Sequence, residues 1–134
     1  MSSRFPRRST LHTLRASMAV MHELGIAESA LRAALTEARK ADAVQVHRVV
    51  VRVGELSGVD PEAFRFAFET IRAGTLAADA ALDIEPVPAV ARCATCQLEF
   101  AAEDGFYGIC PECGNPGAML VRGRELDLIR LEMS

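Results

Sequence analysis

The sequence predicts an α+β fold: a small lobe of two helices and three strands, with a cysteine-bearing insert ahead of its last strand. Three observations carry this. Apolar residues recur at helical spacing over residues 23–41 and again after Asp60. β-Branched or alternating stretches stand at 44–56, 81–85 and 125–133, and two Cys-x-x-Cys pairs lie together before the last of them. At 134 residues the chain is one modest domain, or one domain with a small insert. Half of it is hydrophobic but only 5% is aromatic, with no tryptophan, so alanine and valine must carry much of the packing.

Residues 1–20 form a basic extension that differs from the rest. They hold four arginines (Arg4, Arg7, Arg8, Arg15) and no acid, leaving eleven bases against eighteen acids, a net of −7, in residues 21–134. Three readings of this extension compete. Its composition is that of a transit peptide; Arg7-Arg8 suggests an export signal, although no adequate apolar stretch follows; and Met1, Met18 and Met21 are alternative starts. The misassigned start is favoured, with a poorly ordered extension. The acidic body lacks the basic face that a phosphate backbone demands, so no nucleic-acid partner is expected. No apolar run approaches the roughly eighteen residues of a membrane span, and a soluble chain with no membrane partner is expected.

Over residues 23–41, Leu24, Ala27, Leu31, Ala34, Leu35 and Ala38 mark one buried helical face, with Glu28, Arg32, Glu37 and Arg39 between them. Residues 44–56 (VQVHRVVVRVGEL) read as a central strand. On it His47 faces solvent or a partner, and Glu55 is a solvent or interface residue at the strand's end. Asp60-Pro61-Glu62 starts the second helix, with Asp60 as N-cap, proline at the first position and an acid in the first turn. Phe64, Ala67, Phe68 and Ile71 share a face, Phe66 adds bulk beside it, and Gly74 supplies a stop. Residues 81–85 alternate as a strand that Pro86 and Pro88 place at an edge or terminate. Residues 125–133 (ELDLIRLEM) form the last strand, with a slip in alternation at Leu128-Ile129 that is either a bulge or a change of burial.

The cysteines carry the strongest motif. Cys93 and Cys96, a thirteen-residue spacer, then Cys110 and Cys113 put two thiolates on each of two tight knuckles. Knuckles at the ends of a hairpin complete a tetrahedron of sulfur, and Gly114 lets the second turn close to the metal. Such a set suits zinc, or iron of the rubredoxin kind; the spacing is that of a zinc ribbon, and rubredoxin's aromatic core is missing. With every position filled by protein, one structural Zn(II) is expected, supplying stability that a small apolar-poor insert cannot reach by burial. A redox role for either pair is weaker, because thioredoxin-like motifs come singly before a helix. Paired cysteines with none left over fit a reducing compartment, and a cytoplasmic location is expected.

Three separated blocks, MHELGIAESAL at 21–31, VRVGELSGVDPEAFRFAFE at 51–69 and the cysteine segment at 93–113, resemble the HypA/HybF family, the nickel chaperones of hydrogenase maturation. The resemblance covers residues 21–134. It implies a nickel-binding α/β lobe (21–90 plus 121–134), a zinc-binding domain (91–120), and transfer of Ni(II) as cargo to the large subunit of a [NiFe]-hydrogenase in concert with a HypB-type GTPase. It implies further that His22 is the nickel histidine, followed by Glu23, that Asp60 lies near that site, and that the four cysteines hold zinc. From the residues alone His22 is a surface histidine, Glu23 a first-turn acid favoured by the helix dipole, and Asp60 a helix cap. A tripeptide Met21-His22-Glu23 at a true amino terminus would add an amine to imidazole, amides and carboxylate, and the functional protein is expected to begin at Met21. The rival is a zinc-ribbon adaptor that binds protein or nucleic acid without nickel. No nucleophile–base pair or phosphate loop appears, so no enzyme activity is assigned.

Overall fold

A computed structural model describes residues 22–102 and 107–134, except for the side chain of His22. The expectations for the basic extension 1–20 and for Met21 lie outside these residues. Helix α1 spans His22–Lys40, strand β1 Val46–Gly54, helix α2 Pro61–Ile71 and strand β2 Ala81–Val87. Three short strands follow, β3 Val90–Arg92, β4 Glu99–Ala101 and β5 Met119–Arg122, before β6 Leu126–Met133.

Two three-stranded sheets result, ordered β2-β1-β6 and β4-β3-β5. Strand β1 is central, as its valine-rich sequence predicts. It runs parallel to β2, with α2 as the crossover, and antiparallel to β6. The β1–β6 register jumps from Val50↔Arg130 to Val51↔Leu128, so Ile129 is the extra residue of a bulge. That settles the slip at Leu128-Ile129, and the bulge keeps both Leu128 and Leu131 buried on the helix side. Strand β2 is an edge strand that admits Pro86, because the missing N–H faces away from any ladder.

Val49, Val51 and Val53 of β1 meet Phe64 and Phe68 of α2 and the alanines of α1 in one core. Small alanine side chains let the two helices approach closely. The buried stripe of α1 is rotated from the expected one: Ile26 and Ala30 join Ala27, Leu31, Ala34 and Ala38, while Leu24 stands 43% exposed. The reason is that the position of α2 selects which of the helix's similar apolar stripes is covered, and Leu24 falls outside that stripe. Phe66 points outward at 72% exposure and adds nothing to the core. On the opposite face of the sheet, Arg48 lies 2.6 Å from Asp83 and 3.5 Å from Glu132, and Arg52 lies 3.5 Å from Glu85. Such half-exposed pairs contribute little net stability.

The chain passes to the second sheet and back through a narrow junction at Gly54-Glu55-Leu56. Gly54 N donates to Glu125 O (2.7 Å), Glu55 N to Val87 O (2.8 Å) and Leu56 N to Gly123 O (2.6 Å). No Cβ fits there: one on Gly54 would fall onto the Gly123 carbonyl, and one on Gly123 would lie 2.6 Å from Ala89 Cα. Where the sequence suggested a hairpin, the insert has a sheet of its own, with β3 between β4 and β5. Among the described residues no helix is long and apolar enough to cross a membrane.

Candidate metal centres

The second sheet presents its knuckles at one end. Each knuckle follows the same backbone pattern. Gln97 N donates to Cys93 O and Gly114 N to Cys110 O, both at 3.0 Å, while Cys93 N donates to Leu98 O and Cys110 N to Asn115 O. The residue closing each turn is left-handed, with φ of 68° at Gln97 and 74° at Gly114. Glycine at 114 meets that demand without strain; glutamine at 97 does not. In both turns the first cysteine is buried and the second exposed.

The turns aim backbone N–H groups at sulfur. Cys93 Sγ accepts from the amides of Thr95 and Cys96 at 3.4 Å, and Cys110 Sγ from those of Glu112 (3.4 Å) and Cys113 (3.5 Å). Asn115 Nδ2 donates to Cys113 Sγ at 3.5 Å. The Cys96 amide, helped by that of Thr95, holds the Cys93 thiol down to about 6 against the pull of burial. The Cys113 and Glu112 amides lower that of Cys110 in the same way. At Cys96 the contact with the Leu98 amide lowers the value, but burial and the three neighbouring sulfurs outweigh it and push the thiol up to about 12. Four sulfurs this close cannot all ionise without a cation among them.

All four Sγ atoms lie within 4.8 Å of one another, with Cys93–Cys113 at 3.5 Å and Cys96–Cys110 at 3.6 Å. Sulfurs placed about 2.3 Å from a tetrahedral zinc would be roughly 3.8 Å apart. Spacing and donor set fit a structural Zn(II), held by Cys93, Cys96, Cys110 and Cys113, and leave no coordination position for substrate. The group's chemistry there is to fix the two knuckles to each other.

At the end of the first sheet where β1 finishes, the starts of α1 and α2 come together. His22 is the first residue of α1. Glu23 in its first turn sends Oε2 to the backbone N of Asp60, 3.2 Å away. Asp60 is the N-cap of α2, with Oδ1 accepting from Glu62 N at 3.0 Å and the Asp60 carbonyl accepting from Phe64 N. The cap expected from the sequence is present, and the same residue also adjoins Glu23. Glu55 stands exposed at the strand's end, as expected, and its Oε1 accepts from Ala89 N at 2.7 Å, across the junction between the sheets. Nothing local in the sequence marks that role, because the partner lies 34 residues away. His47 is exposed, as expected, and its Nε2 lies 2.7 Å from Ser134 Oγ.

An α+β lobe joined to a tetrathiolate ribbon, with acidic residues gathered where two helices begin, defines a two-lobed metal-binding protein. The chain belongs to the HypA family: residues 21–133 match the family model described as hydrogenase/urease nickel incorporation, metallochaperone, hypA. It is a nickel metallochaperone of hydrogenase maturation, and the adaptor reading is set aside. It is 38% identical over 113 residues to a hydrogenase maturation factor HypA of Acidithiobacillus ferrooxidans, covering 84% of this chain and 99% of that one. With the HypA of Chloroflexus aggregans it shares 39% over 112 residues, covering 84% and 98%. The solution structure of the Ni metallochaperone HypA from Helicobacter pylori superposes with a TM-score of 0.59 at 34% identity, over 83% of this chain and 96% of that one. A second HypA solution structure gives 0.65 at 34% identity, over 87% and 98%.

Proposed function

We propose that this chain takes up Ni(II) at the amino-terminal end of α1, through His22 and Glu23 with Asp60 beside them. It then passes the ion to the large subunit of a [NiFe]-hydrogenase with the help of a HypB-type GTPase in the cytoplasm. It does so as a carrier, without catalysis. The observation that carries the reading is the meeting of Glu23 with Asp60 at the paired helix starts. Each helix start contributes roughly +0.5 of an elementary charge, which repels a cation. Glu23, Asp60 and Glu62 lie in the same two turns, and their three carboxylates turn the local balance to about −2.

Nickel(II) favours square-planar or tetragonal nitrogen and oxygen donors. An imidazole, backbone amides and a carboxylate on adjacent residues close small chelate rings with little ordering of the chain. An incomplete shell lets a recipient's ligands enter before the donor's leave. The amine of Met21 can join only in a product that begins there, so products beginning at Met1 and Met21 are both titrated. The lobe comprising 21–90 and 121–134 is read as the nickel carrier and 91–120 as the zinc-binding domain.

The test is a calorimetric titration of the zinc-loaded protein with Ni(II), compared with His22→Ala. A loss of about tenfold or more in nickel affinity, with zinc retained, is expected. Unchanged nickel affinity in His22→Ala would overturn the assignment.

A further inference from the structure

We propose that the cysteine cluster is a peroxide-responsive switch: oxidation joins the two knuckles to each other through disulfides Cys93–Cys113 and Cys96–Cys110 and releases zinc. The switch is independent of where nickel binds. The geometry that points to it is the pairing of sulfurs across the site. Cys93 Sγ lies 3.5 Å from Cys113 Sγ, and Cys96 Sγ lies 3.6 Å from Cys110 Sγ, so each close contact joins opposite turns. Each pair also sets an exposed cysteine, Cys113 or Cys96, against a buried one, Cys93 or Cys110. The exposed sulfur meets the oxidant, and the buried sulfur stands behind it as the resolving partner.

The reaction balances within each pair. The Cys96 thiolate attacks an oxygen of hydrogen peroxide; an S–O bond forms, the O–O bond breaks, and hydroxide leaves a sulfenic acid on Cys96. The Cys110 thiolate then attacks that sulfur, forming the S–S bond as the S–O bond breaks and a second hydroxide departs. The two sulfurs together lose two electrons, and one peroxide gains them. Cys113 and Cys93 react in the same way. With no thiolate left to hold it, Zn(II) is set free. In a reducing compartment such disulfides are transient, and thiols reverse them.

The local backbone favours these links over a disulfide within either Cys-x-x-Cys pair. Cys93 Sγ rests against the amides of Thr95 and Cys96, and Cys110 Sγ against those of Glu112 and Cys113. A bond inside one turn draws the buried sulfur off those amides, whereas a bond across the site leaves it in place. Each turn is also closed by bonds of its own: Gln97 N donates to Cys93 O, Gly114 N to Cys110 O and Gly117 N to Gly108 O, and Ile109 bridges to Pro116. The sulfurs therefore stay opposite one another while oxidation proceeds, and the covalent links take over zinc's part in fixing one knuckle to the other.

The experiment adds hydrogen peroxide stepwise to the zinc-loaded, full chain, follows released zinc with a chromogenic chelator and maps disulfides by mass spectrometry. A glutamate-specific protease cuts after Glu99 and Glu112, which parts Cys93 and Cys96 from Cys110, and Cys110 from Cys113. Fragmentation between Cys93 and Cys96 then assigns the partner of each. The expected result is complete zinc release with two peroxides consumed per zinc, and the peptide holding Cys93 and Cys96 linked through Cys93 to Cys113 and through Cys96 to Cys110. Dithiothreitol followed by Zn(II) should restore the full zinc content. Disulfides within the knuckles or between chains, sulfinic or sulfonic acids in their place, or zinc retained after the peroxide is consumed would overturn the switch.

Discussion

Replacing Gly114 with alanine isolates the conformational demand of a zinc knuckle. Gly114 sits at φ 74°, and a Cβ built there meets nothing within 4 Å, so packing plays no part in the outcome. A side chain in the left-handed region costs roughly 1–2 kcal/mol. Part of that is returned, about 0.4–1 kcal/mol, because alanine also restricts the unfolded chain. The net is about 1 kcal/mol, and because this small insert folds as it binds zinc, the loss falls on metal affinity. At about 1.4 kcal/mol per factor of ten, zinc should bind roughly fivefold more weakly, as measured by competition against a chelator of known affinity. The second knuckle supplies the control. Gln97 occupies the equivalent position at φ 68° with a side chain present, so Gln97→Gly relieves strain while loosening the unfolded chain, and the two nearly cancel. Its zinc affinity should stay within about threefold of the parent. Wild-type affinity in Gly114→Ala, or a fivefold loss in Gln97→Gly, would refute this account of the knuckle.

Gly54→Ala should destabilise the protein by about 3 kcal/mol, since the new methyl meets backbone at Gly123 and Arg124 that no rotamer change can move, and the crossing hydrogen bonds must stretch; thermal unfolding measures it, and a loss under about 0.5 kcal/mol would contradict the tight crossing. In the metal-free protein, the closed form of the first knuckle should gain population as pH rises between about 6 and the ordinary 9.0 through Cys93, whose thiolate that form favours. That contribution is complete above 9.0 and lost as pH falls through 6, and hydrogen exchange of the Thr95 and Cys96 amides across this window should follow it. Phe66→Ser should change stability by less than about 0.5 kcal/mol because the ring is exposed, whereas Phe68→Ala should cost about 3–5 kcal/mol; comparable losses at both positions would contradict the orientation of α2.

Features with a local chemical signature were legible in the sequence. Asp60-Pro61-Glu62 marks a helix start because capping and the proline's fixed φ operate within three residues. The two Cys-x-x-Cys pairs fix their own knuckles, and the break in alternation at Leu128-Ile129 marks an irregularity in the last strand, which the register shows to be a bulge and not a change of burial. What depends on distant partners was not legible. A glutamate after a strand looks the same whether it meets water or the Ala89 amide. The buried side of α1 was misplaced at Leu24 because an alanine-rich helix carries several similar stripes, and the position of α2 selects among them. Gln97 offered only its equivalence to Gly114, and Gly54 and Gly123 only the general hint that a glycine beside a strand marks a close approach.

The order of the strands also sets an order of assembly. Strand β1 pairs with β6 from Val46↔Met133 to Val53↔Leu126, so its antiparallel neighbour is the last strand in the chain. Everything from β2 through the cysteine ribbon must be traversed before that pairing can form, and closing so long a loop carries an entropic cost that grows with the freedom of the intervening chain. A ribbon already gathered around zinc shortens the effective loop to the width of the Ala89–Gly123 crossing. Zinc supply during synthesis is therefore expected to set how quickly the first sheet closes, and a chain starved of zinc to leave the β6 side of β1 unpaired and open to other strands.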